Sequence, residues 1–304
     1  MLFLTMREKT APIPFRATTR AVWTFLCLAL IFVGTAQADD PKINEHFDPQ
    51  WSFDPLWDDG LAEVAIYDAE RVIYGQPRPH EEVRILVSEP MDTRQHVKAD
   101  PPYEGKRILP VLKCNIFSRV ETKNYPYHLM VSLFVDRARP SRLVKATYSS
   151  QEWCGQTFKD LQLYRDPPRF SANSYWDGQA ITDRPLEWDS NTLLEEQLAV
   201  SLRALKLEVG EEMAIRLLPS QVSNRAPVPE PVSAVISRVE RSGWLEGMNF
   251  EDGPSLIYEI EAEDGSWAAY AFAPEPPRVL LGYRHSDGRQ GRLKSVRRRA
   301  YWRD

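Results

Sequence analysis

The chain has 304 residues with 38 basic and 43 acidic side chains, a net charge of −5 that makes it a poor candidate for nonspecific nucleic-acid binding. After residue 38 no segment is long and apolar enough to span a membrane as a helix, for which about 20 residues are needed. The remaining length suits one large β domain, or two modest domains sharing a sheet.

Residues 1–38 read as an export signal. Arg7, Lys9, Arg16 and Arg20 make a basic start, and Ala21 to Val33 is an uncharged run of 13 residues. Ala36-Gln37-Ala38 then has the small-x-small pattern that signal peptidase cuts. Cys27 lacks the Leu-small-small context of a lipoprotein signal. Cleavage after Ala38 leaves Asp39 to Asp304, with 34 basic and 42 acidic residues and a net charge of −8. The expected compartment is the periplasm.

Residues 39–59 form an irregular lead-in, with Trp51, Phe53 and Trp57 placed to tether it. A single β domain is expected over 60–304. Leu61 to Tyr74 alternates in the period of a half-buried strand, and Val83 to Ser88 is a second short strand. Residues 108–164 hold the densest β pattern. Three long runs, 111–121, 126–136 and 141–163, are separated by turn-like NYP and RARP, too short for parallel crossovers. Asn191 to Leu207 differs: Leu194, Leu198, Leu202 and Leu205 recur at helical spacing, and Thr192 with Glu195 fits a capping box. Residues 219–231, rich in proline, are a linker or a surface loop. Strands resume beyond it, with hairpin turns at Asp264-Gly265 and Asp287-Gly288. The predicted class is mainly β: a large curved antiparallel sheet or open half-barrel with one amphipathic helix over 191–207.

Several segments resemble known families. Trp57-Asp58-Asp59-Gly60, VLKCN at 111–115, Tyr125-Pro126-Tyr127 and SSQEWCG at 149–155 are similar to uncharacterised secreted bacterial proteins, some of which carry a septum-formation-inhibitor label. The inhibitor family proper is cytoplasmic and opens with a Ser-Pro-Arg-Arg type motif that this chain lacks. The C-terminal half resembles exported β proteins of the DUF3108 type, which likewise end in a basic segment and an aromatic pair. These resemblances imply an exported β fold and no particular activity.

Candidate chemistry is sparse. A Cys114–Cys154 disulfide is permitted in an oxidising compartment. In a simple meander, however, the two cysteines fall on non-neighbouring strands about 10 Å apart, beyond the ~7 Å limit unless a bulge or sheet closure intervenes. Cys154 beside Glu152 could be a nucleophile if His128 or His96 approached, but a structural thiol is the simpler reading. The five histidines show no short metal-ligand spacing, and no cofactor is implied. Asp58 and Asp59 point to opposite faces and suit an Asx turn better than a carboxylate pair. Trp153, Trp244 and Trp267 fall at core-like positions, whereas Trp51, Trp176 and Trp188 lie in polar stretches that suit a sugar platform.

The strongest charge asymmetry is the basic tail. Arg297 and Arg299 are expected on one strand face with Leu293 and Tyr301, and Arg298 on the other with Val296 and Trp302. This pattern suits a guarded edge strand, or a groove in which Arg284, Arg297, Arg298 and Arg299 hold an acidic group beside Tyr301 and Trp302. The functional expectation is a non-catalytic envelope binding or assembly factor whose partner is a lipid, glycan or protein. The alternatives are an envelope hydrolase acting near Glu152 and Cys154, and a structural subunit of an envelope complex.

Overall fold

The structure is a computed structural model that describes residues 43–250 and 256–303. The predicted leader and its cleavage site lie outside the described residues.

Alternation of apolar and polar residues organises nearly the whole chain into strands. They are β1 (Ala62–Ile73), β2 (Gln76–Asp92), β3 (Val97–Lys98), β4 (Ile108–Val120), β5 (Tyr127–Asp136), β6 (Leu143–Glu152), β7 (Gly155–Gln162) and β8 (Arg169–Ser174). They continue with β9 (Ile181–Pro185), β10 (Thr192–Leu194), β11 (Glu212–Leu218), β12 (Val232–Val239), β13 (Leu256–Ala262), β14 (Trp267–Phe272), β15 (Leu280–His285) and β16 (Gln290–Arg299). All join one 16-stranded sheet in which β10 to β16 run consecutively, β16 pairs with β1, and the order continues through β2 and β4 to β9, with β3 attached to β2. Only the β10–β11 pair is parallel among the described ladders. The sheet is unclosed, with β9 and β10 at its two edges. The mainly β, antiparallel reading of the sequence holds.

Two short helices accompany the sheet: α1 (Pro49–Ser52) and α2 (Glu195–Ser201), the latter followed by a 3₁₀ turn at Leu202–Ala204. The predicted helix over 191–207 is therefore much shorter. Thr192, Leu193 and Leu194 belong to β10, so the helical leucine spacing begins in a strand. Thr192 caps nothing. Its hydroxyl donates to Asp189 Oδ1 at 2.8 Å, while Gln197 takes the capping role by accepting from Leu194 N at 3.3 Å. Leu198, Leu202 and Leu205 are buried in the core together with inward residues of the sheet.

The expected strand over 141–163 is a hairpin, with β6 and β7 paired Glu152 to Gly155 around Trp153 and Cys154. A side chain at Gly155 would place its Cβ 2.4 Å from the Tyr175 ring, so the turn depends on glycine. The turns at 74–75, 121–126, 153–154 and 175–180 consequently gather at one end of the sheet, the tip. The turns at 137–142 and 163–168 lie at the other end, the base.

Inward-facing residues change character along the strands. Toward the base they are apolar: Leu86, Leu112, Leu161, Phe170, Phe272 and Leu280 are all buried. Toward the tip the same strands turn Glu82, Ser118, Ser150, Thr157, Ser174 and His285 inward, also buried. The base is sealed by the lead-in. Trp57 Nε1 donates to the Trp51 carbonyl and Trp51 Nε1 to the Pro277 carbonyl, each at 3.0 Å, and Phe47 bridges to Leu205. Trp51 is therefore a core residue rather than a surface platform.

The two cysteines are not bonded to each other. Cys114 is buried in β4 opposite Leu133, which in turn faces Ala146, whereas Cys154 is exposed in the turn eight residues further on. Two strand spacings and eight residues of rise separate them by on the order of 25 Å, far outside disulfide range.

Candidate functional site

The basic tail does not converge into a site. Arg284 lies on β15, where it donates to Gln290 Oε1 at 3.1 Å and to the Trp244 carbonyl at 3.0 Å, tying the 243–246 turn to the outer face. Arg298 is held by Asp59 and the Leu56 carbonyl, each at 2.6 Å, and lies over the Trp57 ring. Arg297 and Arg299 are exposed. A bulge opposite Ile66 and Tyr67 takes Lys294 out of register, so Leu293 shares the inner face with Val296 and Arg298 instead of with Arg297. β16 pairs with β1 along its length but with β15 only through Gln290–Arg292, so Arg297, Arg298 and Arg299 lie on a stretch paired on one side alone, as a guarded edge would be. Tyr301 and Trp302 touch each other edge to face beyond the strand end.

The acidic pair at the start of β1 is likewise absorbed by structure. Asp58 receives two bonds from Arg137, at 2.7 and 3.0 Å, which hold its carboxyl below the usual range against the opposing effect of burial. Asp59 accepts from Leu61 N at 2.8 Å, the Asx turn expected from the sequence. At the other candidate, the Cys154 thiol lies 3.1 Å from the Tyr125 hydroxyl, and Glu152 accepts from Asn224 at 2.7 Å. His128 pairs with Gln151 in the ladder, and among the described residues no histidine contacts the thiol.

The sheet interior near the tip holds a charged cluster that sequence reasoning missed. Arg84 Nε donates to Glu82 at 2.7 Å, the Tyr283 hydroxyl donates to the same oxygen at 3.1 Å, and the guanidinium covers the Tyr283 ring. Burial raises the Glu82 carboxyl, but Arg84 overcomes it and the net direction is down. Glu195, at the start of α2, lies 2.6 Å from Arg289 and 3.2 Å from His285. Burial opposes its ionisation, and Arg289, with the His285 ring beside it, reverses the effect. Its neighbour Glu196 is pushed the other way by burial and by Glu195, while Tyr148 and Ser220 donate to it. Two adjacent carboxyls with divergent affinities for protons resemble an acid–base pair. The enclosed space beside them, however, is about 50 Å³, which holds roughly one or two waters rather than a substrate. The cluster's bonds tie the start of α2 to β15 and to Arg289 at the foot of β16.

The 219–231 segment joins β11 to β12 and lies over this cluster at the tip. Lys159 Nζ donates to the Gln221 carbonyl at 2.7 Å, Arg71 to Val222 at 3.0 Å and Thr157 to Asn224 at 2.7 Å. Burial lowers the Lys159 amine to about 8.

A cleft of ligand size lies instead at the base. It has a volume of about 530 Å³, within the range of small-molecule sites. Its apolar lining comes from Ile43, Leu143, Leu163 and Trp188, and its polar lining includes Glu45, Arg139, Arg142 and Asp189. The β5–β6 turn positions the two arginines, because both bond the buried Asp136, at 3.1 Å each. Asp189 is fixed by Thr192 at 2.8 Å, Asn191 N at 2.9 Å and Arg216 at 3.3 Å. Burial would raise its carboxyl, yet these donors bring it below the ordinary range. Trp188 is half-buried and packs partly on the core. Of these residues only Trp188 stood out in the sequence, as a tryptophan in a polar stretch. The rest come from segments spread over about 150 residues, beyond the reach of local pattern.

No family model matches the chain, and no curated protein matches it. Among solved structures, it is similar to a DUF1089 family protein from Pseudomonas aeruginosa, with a TM-score of 0.35 and 16% identity over 56% of this chain and 82% of that one. The likeness is too slight to transfer fold or function.

Proposed function

We propose that this protein is an exported, non-catalytic binding protein of the bacterial envelope whose ligand is a glycan held in the base cleft. The cleft carries the reading. It combines the half-buried Trp188 ring with fixed planar polar groups, Arg142 and Asp189, in about 530 Å³. An aromatic face beside directed donors and acceptors recognises the apolar and hydroxylated sides of a sugar together. A free anion is a weaker match, because Asp136 already engages both arginines, and Glu45 and Asp189 add negative charge. The basic-start, apolar-run and AQA pattern of residues 1–38 supports export.

The test is binding of the purified protein to a panel of cell-wall glycan fragments by calorimetry. A fragment that binds the wild type should lose about tenfold or more in affinity to Trp188→Ala, and a comparable amount to Asp189→Asn. Absence of any glycan binding, or affinity indifferent to Trp188, would overturn the reading. Capture of a lipid in the same cleft would replace it. Export is checked separately, by N-terminal sequencing of protein released by osmotic shock, which should begin at Asp39.

A further inference from the structure

At the tip, aromatic rings from four successive hairpin turns form one strip. Tyr74 closes the β1–β2 turn, Tyr125 the β4–β5 turn, Trp153 the β6–β7 turn, and Tyr175 with Trp176 the β8–β9 turn. Across the first three turns the ring contacts are continuous. The Tyr74 and Tyr127 rings meet at 6.3 Å with their hydroxyls 2.5 Å apart, Tyr127 stacks on Tyr125 at 5.6 Å, and Tyr125 stacks on Trp153 at 5.9 Å. Tyr175 lies against Gly155 of the next turn and contacts Trp176 at 5.9 Å, with Arg225 over the Trp176 ring at 4.5 Å. Trp153 is 79% exposed, Tyr74 68% and Tyr175 65%. Rings of this size normally go inside a sheet, and the core here is filled without them. Exposure of three at one end needs a reason.

We propose that this aromatic rim seats the protein on the interface of a lipid bilayer. The ring chemistry selects that occupant. The strip is made mainly of Tyr and Trp, whose apolar bodies and hydrogen-bonding heads suit the headgroup layer, with the exposed Val72 beside Tyr74. Lys123 and Arg225 are exposed beside the rings, and the neighbouring Glu121 is paired with Arg119 at 2.7 Å, so no unpaired acid from that turn repels lipid phosphates. Asp177 is an exposed acid at the rim with no ion pair among the described residues, which leaves little net charge there. Attachment thus comes chiefly from the rings. Behind the rim, the outer face continues in an apolar row, with Phe117 directly opposite Met130 and Phe158 two strands beyond, all exposed. Four turns on one stiff sheet reach the interface together, so single shallow insertions add up.

The rim and the base cleft lie at opposite ends of the sheet, so the two readings stand or fall separately. Flotation with phosphatidylethanolamine–phosphatidylglycerol vesicles should carry the wild-type protein, and brominated acyl chains should quench its tryptophan emission. Trp153→Ala with Tyr175→Ala should weaken partitioning by about tenfold or more, while Arg297→Ala on the outer face leaves it unchanged. Raised salt should cost little, because charge is secondary. Trp153→Ala alone removes a side chain with few packing contacts, and should retain the wild-type near-UV spectrum if the double variant does not fold. Wild-type protein that stays below the gradient, or vesicle binding unaffected by these substitutions, overturns the proposal. A concentration-dependent dimer abolished by the same substitutions, without vesicle binding, would assign the rim to self-association instead and equally overturn it.

Discussion

The base and the tip of this sheet are made from the same strands and behave as different materials. At the base the inner face is apolar, and two buried arginines each close on one carboxylate: Arg203 Nη1 meets both oxygens of Glu63, at 2.9 and 3.1 Å, and Arg137 meets Asp58, while Asp136, beside the cleft, is shared by Arg139 and Arg142. At the tip, charges share partners, Glu195 with Arg289 and His285, and Lys159 with loop oxygens. Closed pairs under an apolar seal fix a structure, because removing either partner strands a buried charge. Shared charges beneath a loop tolerate change more readily. The base should carry the stability and the tip the response to conditions.

The largest expected effect tests the base. Arg203→Ala strands Glu63 beneath the lead-in and should destabilise the fold by about 3–5 kcal/mol, read from urea unfolding. A loss below about 1 kcal/mol would erase the distinction between the two ends.

The next concerns pH at the tip. The Lys159 amine titrates at about 8 in the folded protein and near 10.5 when unfolded. Between those values the unfolded chain keeps a proton that the folded chain has released, so this residue makes stability rise with pH over that window. Wild type minus Lys159→Met should therefore gain on the order of 1–2 kcal/mol between pH 8 and 10. A flat difference would show the amine to be well solvated. The smallest effect falls on the tail. Arg297→Ala and Arg299→Ala should each shift stability by less than about 0.5 kcal/mol, as exposed side chains do.

Much of this fold was legible because alternation is a local property. Val64 and Ile66 mark β1, Val131 and Leu133 mark β5, and Asp264-Gly265 and Asp287-Gly288 mark the turns they make. The failures have physical causes. Pro77 and Pro79 disguised the start of β2, yet that stretch pairs with β1 alone, so the missing N–H groups face no partner strand. Trp153 looked like core in a run of strand-forming residues, whereas Gly155 folds that run back and leaves the ring outside. The Cys114–Cys154 bridge, left open by the sequence, is absent for the same reason: the turn carries Cys154 away from β4. Leucines at 193, 194 and 198 mimicked one helix while serving β10 and then α2. The arginines of the tail were visible as charge, but whether each is free or bound depends on Asp59, Gln290 and the Trp244 carbonyl, distant partners that composition does not reveal.

The pairing of β16 with β1 carries a consequence for how the chain assembles. Along the sheet the strands run from β10 to β16 and then from β1 to β9, the order of an up-and-down meander that has been cut in its middle and spliced at its ends. Residues near 43–61 and 298 already touch, through Arg298 and the carbonyls of Leu56 and Leu61. A circular permutant opened between 186 and 191 would bring neighbours such as Glu70 and Gln290, now 220 positions apart, close together in sequence. It should reach the native sheet faster than the natural order does, since less loop entropy must be lost before pairing begins.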